Sequence, residues 1–182
     1  FTGFFLLLEN QLAKGDVVQV ADKSGTVEDV TLRYLQLRDY EGNVHFIPNG
    51  LITTVTNMSR GYAYAVMDVG VAYHEDVDRA LQAMRVTGAQ LRADPAFAAL
   101  IMEDFEIAGV ERMSDSGVFL RGRFKVQALE QWDVRREYIR RLKRVFDERG
   151  IEFPLPRMAI RTEAAGEETA SARRQRQTDP GA

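Results

Sequence analysis

Residues 24–50 read "SGTVEDVTLRYLQLRDYEGNVHFIPNG". Leu35 and Leu37 face one way and Gln36 and Arg38 the other, which is the period of a half-buried strand. "DYEGN" holds Gly42-Asn43 and reads as a turn. "VHFIPNG" is a strand stopped at Pro48-Asn49-Gly50, residue types that punctuate backbone. Upstream, "GDVVQVA" starts a strand after a turn at Gly15-Asp16, and downstream "LITTVTNMS" gives one more short extended piece. Strands at this spacing predict a small β-barrel or a sandwich over residues 14–61. A domain of about 45 residues is marginal alone, and its edge strands would lie open. A ring of identical copies is one economical way to cover them.

From Tyr62 the pattern changes. "YAYAVMDVGVAY" places Ala63, Ala65, Met67, Val69, Val71 and Tyr73 on one strand face. Next, Val77, Leu81, Met84, Gly88 and Leu91 form a helical stripe, with Asp76 as N-cap and Pro95 just beyond its end. "FEIAGVERM" predicts a strand with an irregularity at Gly109, and Asp115-Ser116-Gly117 turns the chain. In "VFLRGRFKV", Val118, Leu120, Phe124 and Val126 point inward, and Phe119, Arg121, Arg123 and Lys125 outward. A second helix over 130–149 buries Val134, Tyr138, Leu142, Val145 and Phe146 and ends at Gly150. "RMAIRTE" supplies a last extended piece, and the tail over 164–182 is polar and reads as flexible. The order β-α-β-β-α-β is the ferredoxin-like arrangement, with its domain over 62–157 and a further strand over 158–163. The fold class is therefore α+β.

The chain of 182 residues is 45% hydrophobic and 28% charged, with a net charge of -3 and no cysteine. That composition is globular, exerts no strong pull on polyanions, and excludes disulfides and thiol chemistry. "FTGFFLLL" at 1–8 is far shorter than the roughly 20 apolar residues of a membrane-crossing helix. The chain does not begin with Met. Two readings stay open from these residues alone: a cut point with a longer chain upstream, or a processed protein whose first helix packs on its own core.

Candidate chemistry is sparse. "HEDVD" at 74–78 has metal-like residue types, but carboxylates there suit a helix N-terminus, so no metal site is assigned. His45 lies in a strand and reads as packed rather than catalytic. "SDSG" at 114–117 reads as a hairpin turn, not a nucleophile. No phosphate loop or dinucleotide fingerprint is present, so neither an enzyme nor a cofactor is expected. Arg135, Arg136, Arg140, Arg141, Lys143 and Arg144 crowd the second helix, yet Asp133, Glu137, Asp147 and Glu148 interleave with them. The expectation is a solvated helix face, with Trp132 in a core or interface.

The blocks "GFFLLLENQLAKGDVVQV", "SGTVEDVTLR", "LRDYEGNVHFIPNG", "TNMSR", "VGVAYHEDVDRA" and "RRLKRVFDERGIEFPLP" resemble the small-conductance mechanosensitive (MscS-type) channel family over residues 1–160. The resemblance implies an Sm-like β-barrel domain over 14–61 followed by the ferredoxin-like domain. It implies a homo-oligomer, a heptamer in the usual case, forming a hollow cage on the cytoplasmic side of a bacterial-type inner membrane. Ions and small solutes would pass portals between subunits, and upstream helices absent from these residues would meet the bilayer. Residues 1–13 would be the lower end of the pore-lining helix, with Gly3, Phe4 and Leu7 on it and Glu9, Asn10 and Gln11 marking the step to water. Pro48, Asn49 and Gly50 would couple that helix to the β domain, and 158–163 would close the cage as a small barrel. The alternative is an RNA-binding module, a small β ring with a basic helix. The acidic balance and the lack of an exposed aromatic pair on a clear strand face argue against it.

Overall fold

The computed structural model describes residues 11–155. Strands β1 (Val17–Val20), β2 (Lys23–Val30), β3 (Tyr34–Arg38), β4 (Val44–Pro48) and β5 (Val55–Asn57) form one antiparallel sheet in the order β4-β3-β2-β1-β5. The joints follow the turn chemistry. Asp39 accepts from the Asn43 backbone N–H at 2.8 Å, and its carbonyl accepts from Gly42 N–H at 3.1 Å, closing β3 onto β4. In β2 the register shifts between Val27 and Asp29, a bulge that bends the strand. Alternation sends Val18, Val20, Val27, Leu35, Leu37 and Ile47 into one cluster with Leu12 and Ile52.

The expected barrel is not closed by the pairing seen. Among the described residues β4 and β5 are the two edges of this sheet and form no ladder with each other. Residues 11–13 are irregular rather than helical, and Leu12 belongs to the β-domain core.

The second unit runs β6 (Tyr62–Val71), α1 (Val77–Ala93), a single turn α2 (Pro95–Ala98), β7 (Glu106–Met113), β8 (Val118–Gln127) and α3 (Gln131–Arg149). Its sheet order is β6-β8-β7, all antiparallel. Both long helices pack on one face, where Ala65, Met67, Leu120, Phe124 and Val126 meet Met84, Leu91, Tyr138 and Phe146. Gly109 has φ +110 and sits at a register shift in β7, the irregularity expected there. Gly150 is left-handed and caps α3, its N–H donating to Asp147 and Phe146 carbonyls. After that cap the described chain, 151–155, forms no strand. The fourth strand, the barrel strand over 158–163 and the tail over 164–182 lie outside the described residues.

On α1 the buried residues are Ala80, Ala83, Met84, Thr87, Gly88 and Leu91, so the buried face is turned from the expected stripe. Val77 and Leu81 only flank the core. Small residues let the helix approach the sheet. Phe105 fills the space between them: its ring centroid lies 4.9 Å from those of Phe124 and Tyr138.

Candidate coupling turn and charged sheet face

At the end of β4 the chain enters a 3-10 turn, Asn49–Leu51. Asn49 is 8% exposed, and its burial is explained by its bonds. Its backbone N–H donates to Arg33 O at 2.9 Å, and its Nδ2 donates to Thr31 O at 2.9 Å. Thr31 in turn organises its own turn, its Oγ1 accepting from Tyr34 N–H at 3.0 Å and Arg33 N–H at 3.2 Å. Asn49 thus pins the β2–β3 turn to the exit of β4. Pro48 pairs with Tyr34 on the edge strand, a position where proline is tolerated. Gly50 is exposed, and a Cβ built there meets nothing within 4 Å. Leu32 (69% exposed) and Leu51 (68%) stand on the two turns that Asn49 joins.

The structure therefore brings Pro48, Asn49 and Gly50 onto one turn. Gly3, Phe4 and Leu7 lie outside the described residues. The sequence reading missed two contributors. Thr31 carried only the weak signal of a threonine in a turn, and Leu12 had no signal beyond being apolar. Leu12 and Ile52 share the β-domain core, and Gln11 O accepts from Asn57 Nδ2 at 3.1 Å. These contacts anchor the incoming chain next to the residue that leaves the turn.

On the sheet of the second unit, the face away from the helices is a lattice of paired charges and rings. Arg121 donates to Asp68 at 2.6 and 3.0 Å and to Glu111 at 3.0 Å. Those bonds hold the Asp68 carboxyl below its usual range and raise Arg121. Arg123 pairs with Glu106 at 3.3 Å, and Lys125 with Glu103 at 3.2 Å. Arg123 also covers the Tyr64 ring at 3.9 Å, and Lys125 covers Tyr62 at 4.2 Å. The two tyrosines form an edge-on pair with centroids 5.7 Å apart, and Tyr62 is 51% exposed. This qualifies one expectation: an aromatic pair does stand on a clear strand face, with Tyr62 exposed and Tyr64 half-buried. Its neighbouring cations are each matched by a carboxylate, which leaves no surplus positive charge for phosphates.

On the basic helix four of the six cations are paired in the same way. Glu137 accepts from Arg140 and Arg141, which hold its carboxyl down at about 2. Arg141 also reaches Asp94, the N-cap of α2, and so clamps α3 to that corner. Arg136 pairs with Asp133 at 3.1 Å and Lys143 with Asp147 at 2.8 Å. Arg135 and Arg144 form no ion pair among the described residues. Trp132 lines an open cleft of about 550 Å³ with Met58, Tyr40 and Leu129, between the two units. His45 Nε2 lies 2.8 Å from Asp39 Oδ2, so it is committed to the β3–β4 turn, and the bond lowers the Asp39 carboxyl. Ser114 N–H donates to Gly117 O at 2.9 Å, which makes 114–117 a hairpin turn.

Comparisons with known proteins agree with this architecture. The family model described as "Mechanosensitive ion channel, beta-domain" matches residues 1–60, and "Mechanosensitive ion channel MscS, C-terminal" matches residues 65–153. A small-conductance mechanosensitive channel of Caldanaerobacter subterraneus subsp. tengcongensis is 31% identical over 159 residues, covering 87% of this chain and 55% of that protein. The moderate conductance mechanosensitive channel YbiO of Escherichia coli is 34% identical over 154 residues, covering 85% of this chain and 21% of that protein. The chain thus spans about half the length of the first relative and about a fifth of the second. The crystal structure of Helicobacter pylori MscS in its closed state superposes with a TM-score of 0.71 at 21% identity, covering 87% of this chain and 62% of that one. Among the described residues no helix is long and apolar enough to cross a membrane. With the two domains of one family matched in order along it, the chain belongs to the MscS family of mechanosensitive ion channels.

Proposed function

We propose that this chain is the cytoplasmic vestibule portion of a tension-gated channel in a bacterial-type inner membrane. Seven copies would close the ring, with portals between subunits admitting ions and small solutes. Segments upstream of the chain would sense tension. The β domain would receive the pore-helix end at Gly3, Phe4 and Leu7 and pass its movement through Pro48, Asn49 and Gly50. The observation that carries this reading is the ordered match of both family domains, at 1–60 and 65–153. The two open edges of the five-stranded sheet and the exposed Leu32 and Leu51 support it, because an unpaired edge and apolar turns need a covering surface. Closure of the β domain into an Sm-like barrel belongs to the same reading, with strands from neighbouring copies completing the edges.

Light scattering on the purified chain tests the assembly. The expected species has about seven times the 20.6 kDa mass of one chain. A single-chain mass over the whole accessible concentration range would count against a self-assembling vestibule.

A further inference from the structure

Two distant segments meet where β6 ends. Ala72 N–H donates to Glu152 O at 3.0 Å, and Glu152 N–H donates to Glu75 Oε1 at 3.0 Å. There His74 Nε2 lies 3.1 Å from Glu152 Oε2 and 3.6 Å from Glu75 Oε1. One donor atom from each of the three residues falls within 4.8 Å of the other two.

The electrostatics of Glu75 set this cluster apart from a surface ion pair. Its side chain is only 8% exposed. Among the described residues no lysine or arginine forms an ion pair with Glu75 or Glu152. Burying a carboxylate without a matching cation is costly, and beside Glu75 stand only an imidazole and a second carboxylate. The spacing suits a metal. Zinc sits about 2.0–2.2 Å from nitrogen and carboxylate oxygen in tetrahedral sites, so neighbouring donors lie about 3.3–3.5 Å apart. The two edges from His74, 3.1 and 3.6 Å, bracket that distance, and the edge between the two carboxylates is within 4.8 Å. One imidazole with two carboxylates suits zinc and similar first-row ions, whereas magnesium demands an octahedral oxygen shell.

We propose that His74, Glu75 and Glu152 bind a divalent transition-metal ion, zinc by preference, with a fourth position left to water. The ion offsets the charge of the two carboxylates. It also ties the chain leaving α3 to the corner before α1. The segment it holds is already seated, since a Cβ on Gly70 would come 2.7 Å from Pro154 Cγ. The sequence reading took 74–78 as a helix start alone, because the third ligand lies 77 positions from Glu75.

The test is calorimetric titration of Zn²⁺, with Mg²⁺ in parallel, into the full chain stripped with chelator. One Zn²⁺ per chain is expected, with no Mg²⁺ binding. Glu152→Gln and His74→Gln should each weaken Zn²⁺ binding about tenfold or more. His45→Gln should leave it unchanged, because His45 is engaged by Asp39. Co²⁺ in place of Zn²⁺ should give the intense visible absorption of a four-coordinate site, and circular dichroism should show each variant folded. Absence of Zn²⁺ binding, or binding that survives in both ligand variants, overturns the proposal; so does an equal loss in His45→Gln.

Discussion

Replacing Gly122 by alanine probes how tightly the second unit closes around Phe105. A Cβ at Gly122 would overlap Phe105 Cζ and lie 3.0 and 3.1 Å from Cε1 and Cε2. A ring can often swing away from such an intrusion, but this one is held on several sides. It stacks on Tyr138 and tilts against Phe124, and its base lies 2.7 Å from where a Cβ on Gly88 would be. Tyr138 cannot yield, because its hydroxyl donates to Met84 O at 3.1 Å inside the core. Overpacking of this kind costs about 2–3 kcal/mol. Phe105→Ala removes the ring and leaves a space, at about 3 kcal/mol for a side chain that is only partly buried. If the two changes were independent, their costs would sum to about 5 kcal/mol. In the double variant the added methyl enters the space the ring has vacated, so the expected total is only about 3 kcal/mol. Urea unfolding of the four proteins at one fixed protein concentration measures this coupling of about 2 kcal/mol, provided m is unchanged. Additivity to within about 0.5 kcal/mol would show that the ring is free to move, and would refute the packing argument.

Asn49→Ala strips two turns of their buried tie and should cost about 1–3 kcal/mol, whereas Gly50→Ala should change stability by less than about 0.5 kcal/mol, since its Cβ meets nothing; the same urea series reads both. Glu137 falls from 4.5 to about 2 on folding, so its contribution is full above 4.5 and is lost as pH falls toward 2. With the partial exposure discounted, Glu137→Gln should cost about 1–2 kcal/mol at neutral pH, and the gap from the parent should close as acid is added; a constant gap in urea midpoints down to pH 2 would contradict the pairing. Asp76→Ala removes the side chain that accepts from Asp78 N–H and should lower stability by about 1 kcal/mol, read as a drop in thermal midpoint, while Asp76→Asn should retain most of it.

Regular elements were legible where one periodicity ran unopposed. In β8 every second residue from Val118 to Val126 is buried, and α3 buries the five residues its stripe names. Helix α1 was read less well because its buried face is built from Ala80, Ala83, Thr87 and Gly88, which carry little hydrophobic signal. Thr87 is tolerated there because its hydroxyl donates to Ala83 O at 2.8 Å. The alternation that turns Ala63 and Ala65 inward also turns Tyr62 and Tyr64 outward, so that aromatic pair was readable and was overlooked. The site residues were harder. Pro48, Asn49 and Gly50 announce a turn, but the bond from Asn49 to Thr31 spans 18 positions. Such a bond leaves no local pattern, since either residue would suit an isolated turn equally well. The convergence of His74 and Glu75 with Glu152 is invisible for the same reason.

The two units differ in how far each chain can stabilise itself. Among the described residues, behind the second unit stand 19 buried apolar residues, two long helices and a sheet with one face covered. The β domain has eight such residues, and both of its sheet edges are unpaired among the described residues. Burial of about 25 cal/mol per Å² of apolar surface must offset chain entropy of about 1–2 kcal/mol per residue, and so small a cluster does this poorly. Phe46, Leu32 and Leu51 are apolar yet exposed on the same small domain. In a domain meant to stand alone, those positions would be expected to carry charge or to be covered by the chain itself. Among the described residues the small core of the β domain and the apolar surplus on its surface go together, and under the proposed assembly neighbouring copies would cover both. A single turn fixed by Asn49 sits among those exposed leucines, so under the proposed function a change in what covers them would act on the link between β2, β3 and β4.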